Sequence, residues 1–261
     1  MQMLETEIID CCKKLRLSRN FAEMAQLTDG QTHQEYLYKL LAAELQNREQ
    51  GRTAKLIKSA SFYNITTFDQ VRFDEITLPS GLTLEGLKSL SFIGEKKNII
   101  MYGRTGTGKT MLSIALGVMA CQKNIPVRFY RTATLVNQLS EAKKTGTLGV
   151  LHRKLNKAAV IILDEWGYVP YDRTGSQLLF DYLSEIHEQK SIILNTNLEF
   201  SRWVNVLYDE QMTAALVGRL MHHCHLLLFP GENNRLRESS INELYHSIAP
   251  PKKEDNEHDH Q

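Results

Sequence analysis

The stretch NIIMYGRTGTGKT, residues 98–110, decides the fold. An apolar run, Asn98 to Tyr102, ends at Gly103, and a loop of glycines and threonines leads into the helical pattern MLSIALGVMA. The loop fits G-x-x-x-x-G-K-[ST], and its place between a strand and a helix is the context that this pattern requires. Gly103, Gly106 and Gly108 permit backbone angles that turn N–H groups inward, and the following helix adds the positive end of its dipole. The cradle thus runs through Gly103, Arg104, Thr105, Gly106, Thr107, Gly108, Lys109, Thr110 and Met111. Its expected occupant is ATP with Mg2+: Lys109 faces the β and γ phosphates and the Thr110 hydroxyl faces the metal. A flexible Gly/Thr loop with a solvated lysine is the plainer alternative, and the flanking strand and helix weigh against it.

Working outward, four further β-rich runs follow the same plan: 126–131, 159–163, 191–196 and 225–229. Helical patterns separate them, most clearly the apolar face of Leu178, Leu179, Tyr182, Leu183 and Ile186. Strands joined by helical crossovers make a parallel sheet covered by helices, an α/β fold. AVIILDE supplies a carboxylate pair at a strand end: Asp164 to hold the metal's water shell and Glu165 to orient or deprotonate a water. SIILNTN closes the next strand on Thr196 and Asn197, where a side chain can sense the γ phosphate. A charged pair simply ending a strand and an Asn-rich turn are the alternatives to these two readings.

Residues 1–65 read as a helical module, with Ser18 as one helix cap and Thr32 with Glu35 as a capping box. The core is expected over 66–248, with a mixed connection at 61–81 that packs on its neighbours. Residues 249–261, rich in charge and proline without an apolar anchor, read as a disordered tail. A net charge of +1 says nothing about a nucleic-acid partner, so any sign of one must come from clustering. Arg48, Arg52 and Lys55 share a helix face with Lys58 near its edge, a stripe suited to phosphates or to plain solvation. Lys143, Lys144, Arg153 and Lys154 are secondary candidates. Four scattered cysteines form no disulfide framework, no apolar run is long enough to cross a bilayer, and a soluble cytoplasmic protein is expected. His222 to His225 spell HHCH, but neighbours on one element cannot all point at one ion, so no zinc is expected.

The phosphate loop, the Asp-Glu strand end and the Asn-ended strand, in this order, resemble the AAA+ ATPases. ILDEWGYVPYDRTGSQLLFDYLSE followed by SIILNTNLEFSRW is similar to the IstB-like transposition helper ATPases, relatives of the DnaC-like helicase loaders. REQGRTAKLIKSASF before FDQVRFDE is similar to that family's basic helix ahead of the core. The chain departs from the family at Trp166, where a smaller aliphatic residue is usual, at Gly218, where aspartate is usual, and in GENNR, where the family tends to GESYR. The resemblance implies an AAA+ P-loop core with strand order 5-1-4-3-2 and a minimal or absent lid. It implies that Arg219 in ALVGRL reaches into a neighbouring subunit's ATP and that Arg235 contacts nucleotide. It also implies a homo-oligomer with ATP at subunit interfaces, bound to double-stranded DNA and serving a partner transposase. A replicative helicase loader, a nonhydrolysing DNA scaffold and a small-molecule kinase remain open at this point, since each shares the loop.

Overall fold

A computed structural model of the chain describes residues 2–18, 20–168 and 171–233. Arg235 and the expected tail at 249–261 lie outside these described residues. Three helices come first: α1 (Gln2–Lys14), α2 (Phe21–Leu27) and α3 (His33–Ala60). The Thr32 hydroxyl caps α3 by accepting from the Glu35 N–H at 3.1 Å. Glu35 reaches back to the Gln31 N–H at 2.9 Å, one residue before the partner a capping box would use. Ser18 caps nothing: α2 opens on Asn20, and the Ser18 hydroxyl and N–H both donate to Glu44 of α3. The buried Glu44 also accepts from Arg48 at 2.6 Å, and Arg48 in turn donates to the Arg16 carbonyl at 2.6 Å. One carboxylate therefore ties the chain after α1 to α3.

Two short helices, α4 (Leu84–Ser89) and α5 (Ser91–Gly94), lead into the sheet. There the chain alternates: β1 (Asn98–Gly103), α6 (Lys109–Gln122), β2 (Val127–Arg131), α7 (Thr132–Lys144), α8 (Leu148–Asn156), β3 (Val160–Trp166) and α9 (Arg173–Glu185). It continues through β4 (Ser191–Thr196), α10 (Val204–Leu207), α11 (Glu210–His222) and β5 (Cys224–Phe229). All pairings among these strands are parallel, in the spatial order β2-β3-β4-β1-β5. Read from the other edge this is 5-1-4-3-2, the order that the resemblance implies.

β1, β3 and β4 are buried on both faces, as a sheet sandwiched between helices demands. One core cluster joins α7, α9 and α11 to one face through Leu135, Leu179, Tyr182 and Leu216. The other joins α6, α4, α5 and the end of α3 to the opposite face through Leu112, Leu116, Leu87 and Ala60. The last turns of α3 thus belong to the core. Beyond them, Phe62 stacks edge-on against Phe129 and lies so close to Gly117 that a Cβ there would meet its ring at 2.7 Å. The 61–81 connection packs as expected and adds an antiparallel bridge from Thr77 to Leu228 on the free edge of β5. Among the described residues no helix is long and apolar enough to cross a membrane.

Burial by itself would raise the Glu44 pKa, but the bonds from Ser18 and Arg48 outweigh it and hold the carboxyl below the ordinary value of 4.5. A depressed carboxyl stabilises the fold above its unfolded pKa and loses that contribution as pH falls through the folded value. Glu44→Gln is therefore expected to cost about 1–2 kcal/mol at neutral pH. The difference from the parent chain should shrink below about pH 4.5, as read from urea unfolding at each pH.

Candidate functional site

The site is assembled at the carboxyl ends of β1, β3 and β4, where the loop after β1 turns into α6. Gly106 (φ +83°) and Gly108 (φ +97°) adopt left-handed backbone angles that ordinary side chains resist. Gly103 is needed for a different reason: a Cβ there would sit 2.3 Å from the Phe229 carbonyl of β5. Lys109 is 8% exposed, and its Nζ donates to the Gly103 carbonyl at 2.7 Å and the Arg104 carbonyl at 2.5 Å. The ammonium group is thus held inside the curl of its own loop, next to the N-terminus of a 14-residue helix. A buried cation in a glycine loop at a helix start is a donor set suited to phosphate oxygens.

Asp164 is 3% exposed and stands on the neighbouring strand but one. The Thr110 hydroxyl lies 3.1 Å from both of its carboxylate oxygens. Between them in the sheet, on β4, Asn195 donates to Asp164 Oδ1 at 2.9 Å and to Ser113 Oγ at 2.9 Å. Its own Oδ1 is buried and meets no donor among the described residues. A hydroxyl beside a carboxylate, both oxygen donors, fits Mg2+. Thr110 and Asp164 would hold the ion, which supplies charge neutralisation on bound phosphates.

β3 carries a bulge at this point. Pairing with β4 passes from Leu163↔Leu194 to Trp166↔Thr196, so β3 spends one residue more than its partner. Glu165 takes up the irregularity with φ +58°, an uncommon angle for a side-chain-bearing residue. Asp164 consequently stays buried while Glu165 points outward, 3.6 Å from Arg131 at the end of β2. Trp166 returns inward, fully buried, with its ring 4.9 Å from that of Trp203. Tyr171 packs edge-on against Trp166, and burial pushes its phenol up to about 12. Tyr168, by contrast, is exposed at the site's rim.

Among the hollows that adjoin the loop, two reach its central residues. A cavity of about 150 Å³ is lined by Thr105, Gly106, Lys109, Thr110, Asp164, Glu165, Asn195 and Asn197, so the phosphate loop, the carboxylate pair and the Asn-ended strand share one chamber. A cleft of about 330 Å³ lies on the other side of Gly106–Met111, walled by Tyr63, Val71, Arg72, Ile76 and Phe229. Its size and its mixed walls, with Val71, Ile76 and Phe229 beside Asn64, Gln70 and Arg72, suit a nucleotide base and ribose. Asn233, just after β5, lies over the loop: a Cβ on Gly106 would meet its side-chain oxygen at 1.8 Å.

Other expected site residues stand apart. Arg219 is exposed on α11, over the Phe180 ring at 5.5 Å and bonded to Ser184, both on α9 of the same chain. Of the basic stripe, Arg52, Lys55 and Lys58 are exposed along α3, whereas Arg48 is engaged with Glu44 and Arg16. Lys143 and Lys144 are exposed at the end of α7, and Arg153 and Lys154 on α8. Arg235 lies outside the described residues. Sequence reasoning missed Asn195, Arg131, Asn233 and the walls of the larger cleft. A signal for Asn195 was present: a polar residue within a strand buried along its whole length needs a polar partner.

A profile of the family described as IstB-like ATP binding protein matches residues 12–242. A similar protein of Geobacillus stearothermophilus, named Insertion sequence IS5376 putative ATP-binding protein, is 31% identical over 245 residues, covering 92% of this chain and 98% of that one. Another, Insertion sequence IS21 putative ATP-binding protein of Pseudomonas aeruginosa, is 34% identical over 209 residues, covering 79% and 78%. Among solved structures, DnaI is similar in fold, with a TM-score of 0.50 at 17% identity over 69% of this chain and 93% of that one. The architecture is that of an AAA+ P-loop core.

Asn195 orients Asp164 without touching the loop itself. Asn195→Ala is expected to weaken ATP binding roughly tenfold in the presence of Mg2+ and to leave Mg2+-free nucleotide binding unchanged. Titration of a fluorescent ATP analogue with and without Mg2+ makes the comparison.

Proposed function

The chain belongs to the IstB-like ATP binding protein family, and on that premise we propose that it is an ATPase that assembles on double-stranded DNA and assists a partner transposase. The observation that carries the reading is the division of labour between adjacent carboxylates. Asp164 is buried on Thr110 where a metal would sit, and Glu165 is set by the bulge at the mouth of the chamber lined by Lys109 and Asn197. In this reading Glu165 takes the proton of a water aligned with the γ phosphorus, and Asn197 holds that water in line. Lys109 and the loop N–H groups offset the charge that gathers on the phosphoryl oxygens. Arg219, exposed on α11, reaches the ATP of a neighbouring copy, so the catalytic set is completed only when subunits meet. ATP then acts as fuel and as interfacial glue: binding favours assembly and hydrolysis permits disassembly.

The helical module and α3 would contact duplex DNA through Arg52, Lys55 and Lys58, with Lys143, Lys144, Arg153 and Lys154 as secondary contacts. Because such contacts meet phosphates, they give salt-sensitive binding with little base readout. A helicase loader would share every catalytic part and differ in partner. The insertion-sequence names of the relatives favour the transposase, and in this reading the protein works in the cytoplasm.

Two variants separate binding from chemistry. Lys109→Ala should lose ATP binding and, with it, ATP-dependent assembly on duplex DNA, seen by sedimentation. Glu165→Gln should assemble as the parent does while its phosphate release falls by about a hundredfold or more. Equal phosphate release from parent and Glu165→Gln would remove the enzyme and leave the scaffold.

Replacing Arg52, Lys55 and Lys58 by alanine together should weaken duplex binding and reduce the slope of log affinity against log salt by about two to three. The urea midpoint should not move, since all three are exposed. An unchanged slope places the DNA elsewhere on the molecule.

A further inference from the structure

On the side of the sheet occupied by α9 and α11, two turns bring three metal-ligating side chains together, with His187 beside one of them. His222 ends α11 and His223 follows it, while His187 and Glu188 lie in the turn between α9 and β4. Glu188 Oε1 lies 3.8 Å from His222 Nδ1, 3.7 Å from His223 Nε2 and 3.7 Å from His187 Nε2. The donor atoms of Glu188, His222 and His223 all fall within 4.8 Å of one another. We propose that Glu188, His222 and His223 form a binding site for one divalent transition ion of zinc's class, with water completing the coordination.

Adjacency does not prevent His222 and His223 from sharing an ion, because the helix ends between them. His223 leaves the helical region (φ −126°, ψ 70°), and the two rings come to rest 4.3 Å apart and nearly perpendicular. Cys224 and His225 continue into β5 and are not part of the group. From the other side, Glu188 has φ +59°, a left-handed angle that an unbranched carboxylate side chain adopts only in a specified turn. A tetrahedral ion about 2.0–2.2 Å from each ligand would set the donors about 3.4 Å apart. The exposed side chains need move only slightly to reach this. Imidazole donors select Zn2+ and its neighbours over Mg2+, so the site does not compete for the ion at Thr110 and Asp164.

The backbone under the ligands is already fixed by a buried residue. The Asn98 side chain donates to the Leu220 carbonyl at 3.1 Å and accepts from the Ile192 N–H at 3.0 Å, while its N–H donates to the His223 carbonyl at 2.7 Å. One residue thus holds the end of α11, the start of β5 and the start of β4 in register, which is the preorganisation a metal site requires. Arg219 lies three positions before His222 on the same helix. An ion here would clip the helix that carries it to the turn that ends α9.

The test is calorimetric titration of Zn2+ into the full chain, prepared without a histidine tag and stripped with chelator, at neutral pH. One ion per chain with micromolar affinity is expected, and Co2+ in its place should give the visible absorption of a low-symmetry nitrogen-oxygen site. His222→Ala/His223→Ala and, separately, the conservative Glu188→Gln should each weaken binding tenfold or more. His258→Ala/His260→Ala, in the tail, should not. These cluster residues are exposed, so the far-ultraviolet dichroism of the variants should match the parent. Undiminished Zn2+ binding in the double variant, loss of binding in the tail variant, or no binding by the parent would each overturn the proposal.

Discussion

The partly buried bond from Thr110 to Asp164, braced by Asn195, is the constraint around which the rest of the site is organised. It joins the first turn of α6 to β3, with β4 supplying the brace. A carboxylate that is 3% exposed must be satisfied or it destabilises the fold, and here hydroxyl and amide donors satisfy it. The same donors fix where its oxygens lie, so the arrangement that stabilises the fold would also present those oxygens to a metal ion. The crossover from β3 through α9 to β4, and the return of β4 to the side of β1, are what bring three distant segments of sequence to this point.

The bulge at Glu165 resolves a conflict inherent in two adjacent carboxylates on a strand. Regular pleating would send successive side chains to opposite faces of a sheet that is covered on both. An unpaired Glu165 would then be buried among the apolar side chains around Trp166 and Tyr171. One additional residue of backbone lets Asp164 remain inside, lets Trp166 return to the core against Trp203, and leaves Glu165 at the mouth of the chamber beside Arg131. Trp166, packed against Trp203, helps to anchor the far side of this bulge.

The chain before the sheet contributes more than a separate module. The end of α3 and the connection after it form part of the core, through Ala60, Phe62 and the bridge at Thr77. Tyr63, Val71, Arg72 and Ile76 from the same connection wall the cleft beside the phosphate loop. The helix bearing the exposed Arg52 and Lys55 is therefore continuous with a segment that lines the cleft.

The sequence by itself determined the parallel α/β sheet, because alternating apolar runs and helical periods leave few other ways to bury both. It also determined the phosphate loop and the Asp164-Glu165 pair, because glycine spacing and residue type carry that chemistry locally. The strand order came with the family resemblance. Tertiary structure alone decided the rest, since each remaining feature depends on residues that are distant in sequence. Asn195 matters because β4 lies next to Asp164 in space; Ser18 serves Glu44 rather than a helix end because α3 passes beside it. His222 and His223 meet Glu188 because a helix end and a turn 34 positions apart (222 minus 188) are held together by Asn98. Local patterns specify what a residue can do, whereas the packing of the elements specifies which partner it meets.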